Sequence, residues 1–194
     1  MIQNKKSFEL ENPVVLGKQS YKKVHITPID KAHLFKDVGL DGVLRGTGTG
    51  ITELVQVCGE FEDGNPLPKD IALGYWDLLA ATNAVNKCLK QAGFFDEDSD
   101  KSDDGIKLKH PLTFEDKQQT HVKFKPFTIN DALNFPMATL VNKYGWAMFA
   151  LIREHATFGD GSKIPKGFES QMSAVDYMRC VGQISFFLMD LAKK

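Results

Sequence analysis

Polar and apolar residues alternate in short runs near the start of the chain. Phe8 and Leu10 alternate with Glu9 and Glu11, and Val24 and Ile26 alternate with His25 and Thr27. A period of two predicts half-buried strands, because successive side chains point to opposite faces. Gly17-Lys18-Gln19-Ser20 lies between the runs and supplies a turn. The same pattern returns at Ile106-Lys-Leu-Lys and Val122-Lys-Phe-Lys, with Glu115-Asp-Lys-Gln118 as the turn. Pro13 and Pro111 each follow the first strand of a pair. Lacking an N–H, they are expected at a sheet edge or a bulge.

Helical periodicity follows each strand pair. Leu140, Val141, Tyr144, Met148, Leu151 and Ile152 predict a helix from about Ala138 to Ala156. The matching region of the first half, Asp41–Gly50, is rich in glycine, which costs ~1 kcal/mol per residue against Ala inside a helix. It predicts a loop, with a shorter helix from about Ile51 to Glu60. The closing helix of the second half carries Ala174, Tyr177, Val181, Ile184, Leu188 and Leu191 on one stripe. Its counterpart in the first half carries Tyr75, Leu78, Thr82, Val85 and Leu89, and both stripes are expected to face a core.

These patterns amount to an internal repeat. Phe8-Glu-Leu-Glu-Asn-Pro13 matches Ile106-Lys-Leu-Lys-His-Pro111, and Val24-His-Ile-Thr-Pro-Ile29 matches Val122-Lys-Phe-Lys-Pro-Phe127. Phe61-Glu-Asp-Gly64 matches Phe158-Gly-Asp-Gly161, Asp77 matches Asp176, and Leu89 matches Leu188. The offset stays close to constant along the chain, as a duplication requires. The expected fold is α+β: two tandem copies of a β-hairpin followed by two to three helices, helix-rich overall. The copies span 1–94 and 106–194, with 95–105 as a linker. At 194 residues, each copy is near the size where a lone core is marginal, so the copies are expected to pack together.

Charge changes the picture only in its distribution. The net charge of −1 argues against a dedicated nucleic-acid binder. Residues 95–105 hold six acids and one lysine, whereas the second copy has 12 basic and 8 acidic residues. The acidic run suits a solvated linker. An EF-hand reading fails because Lys101 and Lys107 stand where Gly and Glu are required.

Little chemistry is visible. Arg45-Gly-Thr-Gly-Thr-Gly50 lacks the lysine of a phosphate-binding loop and the glycine spacing of a dinucleotide fingerprint. The five histidines form no His-x-x-x-His pair, and Cys58, Cys88 and Cys180 form no Cys-x-x-Cys pair. No catalytic, cofactor or metal residue is therefore assigned, and Asp77 and Asp176 are read as cap or dipole partners. The cysteines are expected to be reduced, and the N-terminal residues lack the apolar run of a signal peptide. The most apolar run, Val181–Leu191, is far short of the ~20 residues a membrane span needs. A soluble, cytoplasmic protein is expected.

On the last helix, Asp176, Arg179, Gln183 and Asp190 form a polar stripe, with Phe186 at its edge and Met178 and Met189 flanking the core stripe. The first-copy counterparts are Leu79 for Met178, Lys87 for Phe186 and Lys90 for Met189. Five of the six methionines follow residue 106. Surplus apolar surface with pliable methionine suits a partner, which makes Met178, Phe186 and Met189 the candidate contacts; packing against the first copy is the alternative.

The stretch Ile106-Lys-Leu-Lys-His-Pro-Leu-Thr-Phe-Glu-Asp-Lys117, then Val122-Lys-Phe-Lys-Pro-Phe-Thr-Ile-Asn-Asp-Ala132, resembles the E-type tail-assembly chaperones of contractile-tailed bacteriophages. The helix opening at Asp176-Tyr177 is similar too. The resemblance covers most of the second copy and, more weakly, the first. Family members are about half this length, and the first copy departs in its glycine-rich segment. The resemblance implies a non-enzymatic protein of the infected host's cytoplasm, without cofactor, that binds hydrophobic helical segments of the tape-measure protein. Two other readings are a phage inhibitor of a host defence complex and a structural tail component. The oligomeric state is left open.

Overall fold

The computed structural model describes residues 6–40, 43, 49–94, 105–126, 128 and 145–191, with the side chains of the last helix described to 185. The acidic run at 95–104, the glycine-rich residues 41–42 and 44–48, and the expected start of the second-half helix at 138–144 lie outside the described residues.

The chain divides into two compact units. The first comprises residues 1–29 and 38–95, and the second comprises 30–37 and 96–194. Residues 30–37 thus belong with the second half of the sequence, where contiguous halves were expected.

In the first unit, β1 (Lys6–Leu16) and β2 (Gln19–Ile26) form the antiparallel hairpin that the alternation predicts. Gly17 turns the chain at a φ of +62°, where a side chain would be strained. Helix α1 (Thr49–Cys58) leads directly into β3 (Gly59–Phe61), a third strand that the sequence pattern did not announce. The sheet order is β1-β2-β3. Helix α2 (Tyr75–Gln91) packs across β1. Val24, Ile26, Leu54, Val55, Phe61, Val85 and Leu89 are fully enclosed and anchor this core.

The second unit has its own sheet with the same strand order. Strands β4 (Ile106–Phe114) and β5 (Lys117–Phe124) form a hairpin, and β6 (Ala156–Phe158) adds to it in the order β4-β5-β6. Its two-residue turn holds Glu115 and Asp116 at φ of +48° and +60°, the left-handed pair that a tight hairpin demands. Helix α3 (Gly145–His155) precedes β6, and α4 (Ala174–Leu191) closes the unit. The fold is α+β, with two three-stranded antiparallel sheets and four α-helices among the described residues.

The registers correspond position by position. Phe8 pairs with Val24 and Ile106 with Val122. Val24 pairs with Phe61 and Val122 with Phe158. The hairpin register shifts between Glu9 and Val14 in one sheet and between Lys107 and Leu112 in the other, so Pro13 and Pro111 sit in bulges on edge strands. Backbone bonds correspond as well. Thr27 N–H donates to Cys58 O and Lys125 N–H to His155 O, both at 2.8 Å.

Candidate protein-binding face

Each bulge leaves backbone N–H groups without a ladder partner, and each is met by a carboxylate from the first turn of a helix. Glu11 N–H donates to Asp77 Oδ1 at 2.7 Å in the first unit. In the second, Lys109 N–H donates to Asp176 Oδ1 at 2.7 Å and His110 N–H to Asp176 Oδ2 at 3.0 Å. Asp77 and Asp176 are both buried. Asp176 was expected on a polar outer stripe; the bulge draws it inward instead. Ser173 caps the helix beside it, with Ser173 Oγ donating to Asp176 Oδ2 at 2.7 Å and accepting from Asp176 N–H at 3.1 Å.

Turning Asp77 inward rotates α2 from the orientation the stripe suggested. Asp77, Ala81, Ala84, Val85, Cys88 and Leu89 are its buried residues. Tyr75 and Leu78, expected in the core, are exposed, and Thr82 is half-buried with its hydroxyl bonded to Leu78 O. The first turns of α2 therefore present Tyr75 at 75%, Trp76 at 61%, Leu78 at 36% and Leu79 at 43% exposure. The Tyr75 and Trp76 rings meet edge-on at 5.2 Å. A contiguous apolar group that includes Tyr and Trp is the composition of a binding surface.

The corresponding face of α4 is closed. Ala174, Val175, Tyr177 and Met178 are all buried. Residues 30–37 cover it. Ala174 N–H donates to Asp30 O at 2.9 Å and Ala32 N–H to Met172 O at 3.0 Å, which makes a one-residue antiparallel bridge between Lys31 and Ser173. A 3-10 turn, Ala32–Phe35, then buries Ala32 and Phe35. The Phe35 ring lies 5.8 Å from Tyr177, which in turn lies 4.7 Å from Phe149. Tyr177 donates its hydroxyl to Gly145 O at 3.0 Å, and burial pushes its phenol well above the ordinary range. A side chain at Gly145 would collide with Phe35 O, so this glycine is needed for the close approach of α3.

Of the contacts expected on α4, Met178 is 8% exposed and so offers little surface. The side chains of Phe186 and Met189 lie outside the described residues. An exposed apolar group that the sequence pattern did not single out lies on the first unit, at Leu79 and its neighbours. Sequence reasoning passed over it because a helical wheel groups the largest apolar residues together. The signal that could have found it was the paired carboxylate: Asp77 stands 64 residues after Pro13, and Asp176 stands 65 after Pro111.

Other places were weighed for chemistry. A groove of about 560 Å³ runs along β5, lined by Lys117, Gln119, His121, Lys123 and Asp160 among others. Hydrogen bonds from Ser162 and Gln119 hold the exposed Asp160 carboxyl down at about 2. Thr120 Oγ1 and His121 Nδ1 lie 2.9 Å apart there, as an exposed pair on neighbouring residues. Among the described residues, no group of three or more His, Cys, Asp or Glu is placed to share a metal ion. Cys58, Cys88 and Cys180 are free and buried, and burial pushes the Cys180 thiol up. Gly50, from the phosphate-loop lookalike, lies against Gly39 O, where a Cβ would come within 2.1 Å. No helix of the described residues is long and apolar enough to cross a membrane.

No family model, curated protein or solved structure matches this chain.

Proposed function

We propose that this chain is a non-enzymatic, protein-binding phage protein of the tail-assembly chaperone kind. In this reading it is a tandem pair of hairpin-plus-helix copies that holds hydrophobic segments of the tape-measure protein in the host cytoplasm. The observation that supports protein binding is the open apolar face of α2, with Tyr75, Trp76, Leu78 and Leu79 exposed beside one another. The matching sheet registers and the two carboxylate-to-bulge bonds support the tandem reading. The link to tape measure comes from the sequence resemblance.

Co-expression tests the proposal. The tape-measure protein encoded beside this chain should remain soluble in its presence and aggregate without it. Leu79→Asp should weaken that protection, and Phe186→Ser with Met189→Ser reads whether α4 contributes. Equal aggregation with and without the chain overturns the proposal.

A further inference from the structure

Backbone N–H groups that lie outside the ladders of this fold are met by carboxylates, as Asp77 and Asp176 show. Glu62 does the same just beyond β3, where Lys23 N–H donates to Glu62 Oε2 at 2.7 Å. In the second unit the repeat puts Gly159 at the position of Glu62 and His121 at that of Lys23. Sheet pairing agrees, with Val24 on Phe61 and Val122 on Phe158. Gly159 has no side chain to offer. Its own N–H donates to His121 O at 2.9 Å. The backbone N–H of His121 points to the same side as that carbonyl, away from β4, and has no hydrogen-bond partner among the described residues. The groove of about 560 Å³ lies at this place, lined by His121, Gly159, Lys117 and Lys123 among others. Asp160 does not take over from Glu62, because it holds its own turn as Asp63 does in the first unit. Asn65 N–H donates to Asp63 Oδ1 at 3.0 Å, and Ser162 N–H to Asp160 Oδ1 at 2.9 Å. Buried Gln119 ties the other Asp160 oxygen at 3.0 Å.

We propose that the β5 groove is a carboxylate-binding site that takes an aspartate or glutamate side chain of an acidic protein segment, with the backbone N–H of His121 as donor. The first unit supplies the template: what Glu62 does there from within the chain, a ligand carboxylate does here. A bond from an N–H to a carboxylate is stronger than one to a neutral acceptor. Lys117 and Lys123 set two positive charges in the groove against the one negative charge of Asp160, so the groove favours an anion. It follows β5 from Lys117 to Lys123, roughly 20 Å at the usual strand rise, which fits an extended segment better than a single small molecule. Such a carboxylate has two sources, the acidic run of this chain at 96–104 and a separate protein. The site uses residues of the second unit only and goes beyond the reading of the α2 face.

Amide NMR of the full, isotope-labelled chain reads the site. The probe is sodium acetate, titrated against sodium chloride at matched ionic strength and constant pH. A saturable shift of the His121 amide with acetate is expected, while the Lys23 amide, whose acceptor is Glu62, stays in place. Gly159→Glu restores the first-unit residue and should abolish the response by filling the groove. A Cβ at Gly159 meets His121 Cβ at 3.2 Å, so a second variant avoids that contact. Lys117→Gln changes an exposed side chain and should weaken acetate binding by about twofold or more. Repeating the titration with the six acids of 96–104 replaced by Asn or Gln separates the two sources. A response confined to that chain assigns the groove to the chain's own acidic run, and an equal response in both chains assigns it to a separate protein. Absence of a saturable His121 shift in both chains, an equal shift with chloride, or a response that neither Gly159→Glu nor Lys117→Gln weakens overturns the proposal.

Discussion

The first turns of α2 and α4 share a plan: a carboxylate three residues after the cap, turned in to a strand bulge, with apolar residues around it. On α4 those apolar residues are roofed by Phe35 and its neighbours; on α2 they face outward. The difference does not come from the helices. Tyr75 and Trp76 have more side-chain surface to bury than Ala174 and Val175, yet they are the exposed pair. It comes from residues 30–37, which precede α2 in the chain and belong to the second unit. A covering segment, rather than helix composition, decides which face is core and which is surface.

The sharpest way to break this comparison is to remove the cover. Phe35→Ala should destabilise the second unit by about 3–5 kcal/mol, as expected for a fully enclosed aromatic. Trp76→Ala, on the open face, should cost less than about 0.5 kcal/mol. Denaturant unfolding measures both, with Trp146 reporting the second unit and Trp76 the first in single-tryptophan backgrounds. Equal costs would dissolve the distinction between a covered and an open face.

The carboxylates come next. Asp176→Ala strands Lys109 N–H, His110 N–H and Ser173 Oγ and should cost about 3 kcal/mol. Asp77→Ala strands Glu11 N–H and should cost about 1.5 kcal/mol, by the same measurement. The larger cost falls on the carboxylate that serves more donors.

A smaller change makes α2 more like α4. Gly74 caps α2 without a side chain, at φ −63° and ψ 167°, where Ser is unstrained. A Cβ there meets nothing closer than Asp77 Oδ2 at 3.5 Å. Gly74→Ser should supply the missing side-chain cap and raise stability by about 0.3 kcal/mol, read as a small rise in melting temperature.

The smallest effect is at Asp160, which is fully exposed. Its folded pKa is lowered from 3.8 to about 2, mainly by Ser162 and then by Gln119. Its contribution to stability is therefore present above pH 3.8 and is lost as pH falls toward 2. Carboxyl NMR titration should place its midpoint near 2, and Ser162→Ala should raise it.

Both hairpins were legible in the sequence because a half-buried strand shows its period in few residues, and because Pro13 and Pro111 marked the bulges. The stripe on α4 was legible too: Ala174, Tyr177, Val181 and Ile184 are buried. The stripe on α2 was not. Its orientation depends on a hydrogen bond between Asp77 and Glu11, sixty-six positions apart. The third strands escaped notice because three residues are too few to show a period. The candidate face was hidden for the same reason as the α2 stripe, since it is what that rotation leaves outside.

The sequence by itself determined the hairpins, the positions of the bulges and which segments are helical. These depend on local period, turn residues and missing donors, all carried by neighbours along the chain. Tertiary structure alone decided that Asp77 and Asp176 point inward, that residues 30–37 join the second unit, and that α2 keeps an apolar face open. Those outcomes depend on which distant backbone groups need partners and which segment reaches them first, and no local pattern encodes either.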